Sequence, residues 1–133
     1  MRHIENVARW SEEAGCEGIL VASDTRQLDP WLVARAIIGA TDKLCPVVTV
    51  QPACAHPYTV AKAVASLGFM YGRRIYLNMV PGGGANGIQG LDDVTPHDQA
   101  CARLMEYTKV VQELLGKDEP VTYRGAFYKL ANV

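Results

Sequence analysis

The sequence predicts an α/β domain built on a parallel sheet. Helix-period and strand-like segments alternate three times, and the connections between them are short. The strand-like runs are nearly continuous apolar and β-branched stretches, as expected of strands covered on both faces. Sheets of this kind bind ligands at the carboxyl ends of their strands, where side chains and loop amides converge. The stretch Arg73 to Gly84, RRIYLNMVPGGG, has that form: an apolar run from Ile75 to Val80 follows Gly72, carries one amide at Asn78, and stops at a proline and three glycines. Asn78 is the first residue expected to touch a ligand.

Each element follows from local signals. From Arg2 to Ala14, the residues Ile4, Val7, Ala8, Trp10 and Ala14 recur at helical spacing, and Gly15 stands where the helix should end, so a helix packed on the sheet is predicted. Gly18 to Ser23, GILVAS, reads as a buried strand with a polar end, Ser23, Asp24, Thr25, Arg26 and Gln27. Asp29 is placed to cap the next helix and Pro30 to occupy its first position, where a missing N–H costs nothing. Trp31, Leu32, Val33, Ala36, Ile37 and Ala40 continue it to Thr41-Asp42.

Leu44 to Val50 is the next strand, ending at Gln51-Pro52, with Pro46 tolerated near its start. A polar loop, Ala53 to His56, leads to a first-turn proline, Pro57, and a helix from Tyr58 to about Met70 whose apolar face is Val60, Ala63, Val64, Leu67 and Met70. Gly72 ends it, and the strand around Asn78 follows. Residues 82–95 hold five glycines and are expected to form a mobile loop over a strand end. A helix from Pro96-His97-Asp98 to Leu115 follows, with Leu104, Tyr107, Val110, Val111, Leu114 and Leu115 on one stripe and Gly116 as its stop. In residues 121–133, VTYRGAFYKLANV, two strand-like pieces flank Gly125; an aromatic hairpin and a simple edge are both compatible with them.

At 133 residues the chain has the size of one domain and is shorter than the roughly 250 residues of a closed eight-stranded α/β barrel. A net charge of −1 with mixed signs leaves no footprint for nucleic acid or an anionic membrane. No apolar run reaches a membrane span and MRHIENVARW lacks a signal-peptide core, so a cytoplasmic location is expected. Four scattered cysteines, Cys16, Cys45, Cys54 and Cys101, are expected to be reduced and mostly buried. Cys54 and His56 could supply two metal ligands, but no second cluster completes a site, so no metal is expected.

The chemistry-bearing residues are few. Gly82 to Gly84 lacks the Lys-Ser/Thr and the helix start of a phosphate loop, which leaves a lid beside a weaker phosphate-cradle alternative. His56 and His97 are open to two descriptions, a base or a surface histidine near a helix end. There is no GxSxG, no HExxH and no motif that pairs carboxylates, so no catalytic residue is assigned. The polar groups at strand ends, Ser23, Asp24, Gln51, Cys54 and Asn78, mostly form hydrogen bonds. Such a site suits chemistry carried by a bound cofactor.

The order of segments resembles the amino-terminal part of the luciferase-like flavin monooxygenases, most closely the alkanesulfonate monooxygenase branch. The resemblance rests on AGCEGILVAS followed by DPWLVA, VVTVQP, HPYTVAKAVASL ending in YGRR, YLNMVPGG, and HDQACARLMEYTKVV followed by YRGAFYKL. It implies a partial (β/α)8 barrel in which the strand before Arg2 and the later strands, with the phosphate site and the catalytic His and Arg, are absent from this sequence. It also implies reduced FMN supplied by a separate NAD(P)H reductase, O2 as oxidant and a small organic substrate.

Residue by residue, Asn78, Ala22, Ser23 and Gln51 match cofactor-binding positions at strand ends. Val80 matches a substrate-pocket position, and Gln27 stands where the sulfonate branch has a cysteine near the active site. Of the residues outside that carry-over, His56 is assigned to the substrate pocket from its place beside a strand end. Ala100 and Cys101 replace an arginine and an aromatic residue common at the start of the family's fourth helix, and Gly68 and Tyr71 alter the usual turn before Arg73. Unpaired sheet edges predict a homo-oligomer or a partner supplying the missing barrel half. The alternative function is that of a truncated, non-catalytic binding or dimer-forming module, and the isolated chain is expected to be inactive.

Overall fold

The computed structural model describes residues 1–82 and 95–133. The expected loop of residues 82–95 falls, apart from its ends, outside the described residues, as do Gly83 and Gly84. In chain order the elements are α1 (Arg2–Glu13), β1 (Gly18–Val21), α2 (Pro30–Ala40), β2 (Cys45–Val50), α3 (Pro57–Tyr71), β3 (Tyr76–Met79), α4 (His97–Gly116), β4 (Tyr123–Arg124) and β5 (Lys129–Leu130). Strands and helices alternate as the sequence predicts. The main sheet has the order β1-β2-β3, and β1 pairs with β2 in parallel, Gly18 opposite Cys45 and Val21 opposite Val48.

The chain divides into two compact units, Met1–Thr49 with Ser66–Asn78, and Val50–Ala65 with Met79–Val133. In the first unit Ala8, Val21, Ile37 and Leu44 form the core, and Ile4, Ile19 and Val33 pack around it. The two helix starts are made differently. Asp29 Oδ1 accepts the amides of Trp31 at 2.9 Å and Leu32 at 3.1 Å, so α2 is capped as its Asp-Pro pair predicts. The first helix has no side-chain cap, but it stops where expected, with Gly15 at φ +86°.

The turn between α2 and β2 is held from two sides. A carboxylate oxygen of Glu12 accepts the amides of Lys43 at 2.6 Å and Leu44 at 2.9 Å, and both oxygens lie 3.1 Å from the amide of Asp42. The guanidinium of Arg73 donates to the carbonyls of Ile38, Thr41 and Leu44 at 3.2, 2.6 and 2.7 Å, and to the Thr41 hydroxyl at 3.1 Å. The Glu12 carboxylate therefore takes the amides of the turn, while Arg73 takes carbonyls at the end of α2, where a cation matches the helix dipole.

These bonds lower the Glu12 pKa below its ordinary 4.5; the Lys43 and Asp42 amides dominate, burial opposes them, and the Leu44 amide and the charge of Arg73 add to the lowering. The sign follows from linkage. A carboxylate with a depressed folded pKa stabilises the fold above its unfolded pKa and loses that contribution as pH falls through the folded value. Urea titrations from pH 7 downward should therefore show the wild-type midpoint falling below about pH 4.5, while Glu12→Gln starts lower and changes less. Parallel pH profiles for the two proteins would refute the assignment.

Several expectations about burial do not hold. Leu20 is 62 % exposed, although β1 was expected to be covered on both faces. Ile19 and Val21 point to the core formed with α1 and α2, whereas Leu20 alternates to the opposite face of the strand. Trp10 is 60 % exposed, so helical spacing placed it on the apolar stripe but its ring does not enter the core. Met70 and Tyr76 are also exposed, and β3 is only half-buried over Leu77 to Met79. No cysteine is in a disulfide, but Cys16 and Cys54 are exposed and Cys45 and Cys101 half-buried, which corrects the expectation of buried cysteines.

In the second unit α4 buries Ala100, Tyr107, Val110 and Val111, while Leu115, at the end of the predicted stripe, is exposed. The last residues form a short antiparallel hairpin, Tyr123 opposite Leu130 and Arg124 opposite Lys129. Tyr107 and Tyr128 meet edge to face, with ring centroids 5.6 Å apart. The carboxylate of Glu106 accepts the amides of Ala126, Phe127 and Tyr128 at 2.8 to 3.2 Å, tying the hairpin to α4.

Candidate functional site

In the first unit the pleat divides the sheet residues into a core face and an open face. Leu20 and its register partner Val47 lie on the open face, and Thr49 follows Val47 two residues on. Asn78 joins this face: its Nδ2 donates to Thr49 Oγ1 at 3.3 Å, and the residue is half-buried. That bond fixes the amide so that its oxygen remains available as an acceptor.

Beyond β1 the chain makes a tight turn organised by Asp24. The Asp24 carboxylate accepts the Arg26 amide at 3.0 Å and the Thr25 hydroxyl at 3.3 Å, while its backbone carbonyl accepts the Gln27 amide at 3.2 Å. The turn borders an open groove of about 590 Å³, lined by Ile4, Leu20, Val21, Leu28 and Val33 together with Ala22, Thr25, Arg26 and Gln27. Two of the sequence-predicted site residues, Ala22 and Gln27, therefore share one groove. Ser23 lies between them in sequence, half-buried, and does not line it.

The second unit holds Gln51, His56 and Val80. Gln51 is only 7 % exposed, and its Oε1 is buried without a hydrogen-bond partner among the described residues. Gly82 lies against it at φ +67°, and a side chain there would meet the same oxygen at 3.1 Å. Val80 donates its amide to the Val50 carbonyl at 2.9 Å and is half-buried.

His56 sits just before α3 and is exposed; its Nδ1 accepts the Tyr58 amide at 3.2 Å, and its ring meets Tyr128 edge-on. In the neutral ring the proton is then on Nε2, which leaves that nitrogen as a donor. His97 is exposed at the first turn of α4, with Nε2 3.8 Å from Cys101 Sγ.

A polar cluster that sequence reasoning missed surrounds these residues. Arg103 donates from Nε to the Tyr128 hydroxyl at 3.1 Å and from Nη2 to the Pro52 carbonyl at 3.0 Å. The Tyr107 hydroxyl donates to the Ala55 carbonyl at 3.0 Å. Burial, then the neighbouring Tyr128 and Cys54, pushes the Tyr107 phenol far above its ordinary pKa of 10.0, so it stays a proton donor. These bonds hold residues 52–55, directly after Gln51. The sequence signal was present only as a Pro-bounded loop, because nothing local says which distant donor will meet its carbonyls. Among the described residues no group of three or more His, Cys, Asp or Glu could hold a metal ion, and no helix is long and apolar enough to cross a membrane.

Parallel strands alternating with helices are the arrangement of an α/β barrel. Residues 1–133 match the family described as luciferase-like monooxygenase, and the chain belongs to that family. It is 33 % identical over 133 residues to 4-(gamma-L-glutamylamino)butanoyl-[BtrI acyl-carrier protein] monooxygenase BtrO of Niallia circulans, covering all of this chain and 39 % of that protein.

Among solved structures, EDTA monooxygenase from Chelativorans sp. BNC1 superposes with a TM-score of 0.78 at 22 % identity, covering 96 % of this chain and 39 % of that one. Riboflavin lyase RcaE, solved with modified FMN and riboflavin, gives 0.79 at 19 % identity, covering 96 % and 38 %. These likenesses establish the fold, a part of the (β/α)8 barrel of this family, and the chain spans about two fifths of the length of its relatives.

Proposed function

We propose that this chain is part of a flavin-dependent monooxygenase that oxidises a small organic substrate with O2. The observation that carries this is the family match across residues 1–133, with a relative named as a monooxygenase. Reduced FMN, delivered by a separate NAD(P)H-dependent reductase, would supply the two electrons that send one oxygen atom into substrate and the other into water. A cytoplasmic location and assembly into a homo-oligomer, or with the remaining barrel strands, complete the reading.

The residues present fit a flavin. An isoalloxazine ring offers an N–H donor flanked by carbonyls, and the buried Gln51 oxygen has no donor among the described residues. In the first unit Asn78 presents an amide oxygen on the open sheet face, held by Thr49. Gln51 in the second unit and Asn78 in the first are each assigned to the cofactor as a hydrogen-bond acceptor. Ala22, with only a methyl group, leaves room for a flat ring, and Ser23 adds a hydroxyl. Gln27, Val80 and His56 are assigned to the substrate side, with His56 Nε2–H as a donor.

Titration of the purified chain with oxidised and reduced FMN, followed by flavin fluorescence, tests this. Binding at or below about 10 μM is expected, weakened about tenfold in Gln51→Ala and in Asn78→Ala, as the loss of one buried hydrogen bond implies. Absence of binding at about 100 μM protein, or unchanged affinity in both variants, would overturn the assignment.

A further inference from the structure

We propose that Arg103 is a positioning residue: acting through other residues, its one guanidinium sets the place of both Gln51, assigned to the cofactor, and His56, assigned to the substrate. These two stand at opposite ends of the loop between β2 and α3. The backbone between them is held by side chains of α4. Arg103 Nη2 donates to the Pro52 carbonyl at 3.0 Å, and the Tyr107 hydroxyl donates to the Ala55 carbonyl at 3.0 Å. Pro52 has no N–H, so its carbonyl is the one backbone polar group by which that residue, directly after Gln51, can be gripped.

Gln51 is tied on its other side as well. The Val50 carbonyl accepts the Val80 amide at 2.9 Å, and the Gln51 carbonyl accepts the Cys54 amide at 3.0 Å. With three successive carbonyls engaged, the backbone that carries the buried Gln51 amide is fixed, and Arg103 supplies the last of the three bonds. The same guanidinium reaches His56 by a second route. Its Nε donates to the Tyr128 hydroxyl at 3.1 Å, and the Tyr128 ring meets the His56 ring edge-on, with centroids 5.7 Å apart. A planar fork serves two acceptors in fixed directions at once, which a single ammonium does not. Ligand contacts are held in place by supports of this kind.

The cofactor and substrate roles rest on the flavin reading; the positioning itself does not, so the test has two arms. In the first, NMR spectra of the whole chain without ligand follow the Gln51 side-chain amide, the His56 ring protons and hydrogen exchange at the Cys54 amide. Arg103→Met should shift both side-chain signals and speed that exchange at least about tenfold. Arg103→Lys should restore part of the change. Lys109→Ala, at an exposed site on the same helix, should leave all three as they are. Tyr107→Phe keeps the buried ring, loses only the hydroxyl, and should speed the Cys54 exchange even if Arg103→Met does not fold.

In the second arm FMN affinity should fall about tenfold in Arg103→Met and, because the effect runs through Gln51, should fall no further when that change is added to Gln51→Ala. A general loosening of the fold would weaken binding equally in both backgrounds. Unmoved Gln51 and Cys54 signals in Arg103→Met and Tyr107→Phe, or an equal loss of FMN affinity with and without Gln51, would each overturn the proposal. Moved signals in a chain that binds no FMN would keep the positioning role and remove the flavin reading. FMN binding indifferent to Arg103→Met would do the reverse.

Discussion

Replacing Arg73 with alanine is expected to cost about 2–4 kcal/mol of folding stability, a large share of the roughly 5–15 kcal/mol of an ordinary domain. One guanidinium donates to three carbonyls and a hydroxyl around the end of α2 and the start of β2. The acceptors lie in partly buried surroundings, so without Arg73 they are left to whatever water can reach them. Loss of a cation at a helix carboxyl end adds to the penalty. Arg73→Lys should recover less than half, because an ammonium keeps the charge but cannot span acceptors as the planar fork does. Urea denaturation should show a lower midpoint with the slope preserved. A change below about 0.5 kcal/mol for the alanine variant would mean that the four bonds contribute nothing net.

Glu106→Ala is expected to release the hairpin from α4 at a cost of about 2–3 kcal/mol, from the loss of charge-assisted bonds to the amides of Ala126, Phe127 and Tyr128. The neighbouring Gly125 makes the same prediction by a different route. A side chain there would collide with the Glu106 carboxylate and with the Tyr123 ring, 2.8 Å from its Cβ. Gly125→Ala should therefore displace the carboxylate and destabilise by a comparable amount.

In the double variant the collision with the carboxylate is gone and only that with Tyr123 remains, so the combined cost should fall short of the sum of the two. Near-ultraviolet circular dichroism should weaken in parallel, since Tyr128 packs edge-on against Tyr107. Full additivity of the two substitutions would show that Gly125 and Glu106 act separately. Glu106→Gln, which retains one acceptor oxygen, should fall between wild type and alanine.

The candidate site was legible in part. The family resemblance points to Ala22 and Gln27, and both line one groove in the structure; Asn78 stands out by its place in a strand, and it lies on the open face of the same sheet. Arg103 was visible only as one basic residue on a predicted helix. What distinguishes it is a bond to the Pro52 carbonyl, 51 residues away, which no spacing rule announces. His56 illustrates the opposite case. Its place beside a strand end says nothing of hydrogen bonding, but its position two residues before Tyr58 lets Nδ1 take a helix-start amide.

Local signals determined the elements by themselves. Asp29-Pro30, Gly15 and Gly72 set helix boundaries through backbone geometry that spans no more than a turn, and the apolar runs between them became strands in the predicted order. The tertiary structure alone decided which face of β1 is covered, and which charges hold the turns. Glu12 reaches amides 30 to 32 residues away, and Arg73 reaches carbonyls 29 to 35 residues away. Pairings of that range depend on how the chain returns to itself, so the sequence supplies the charged groups and only the packed sheet and helices choose their partners.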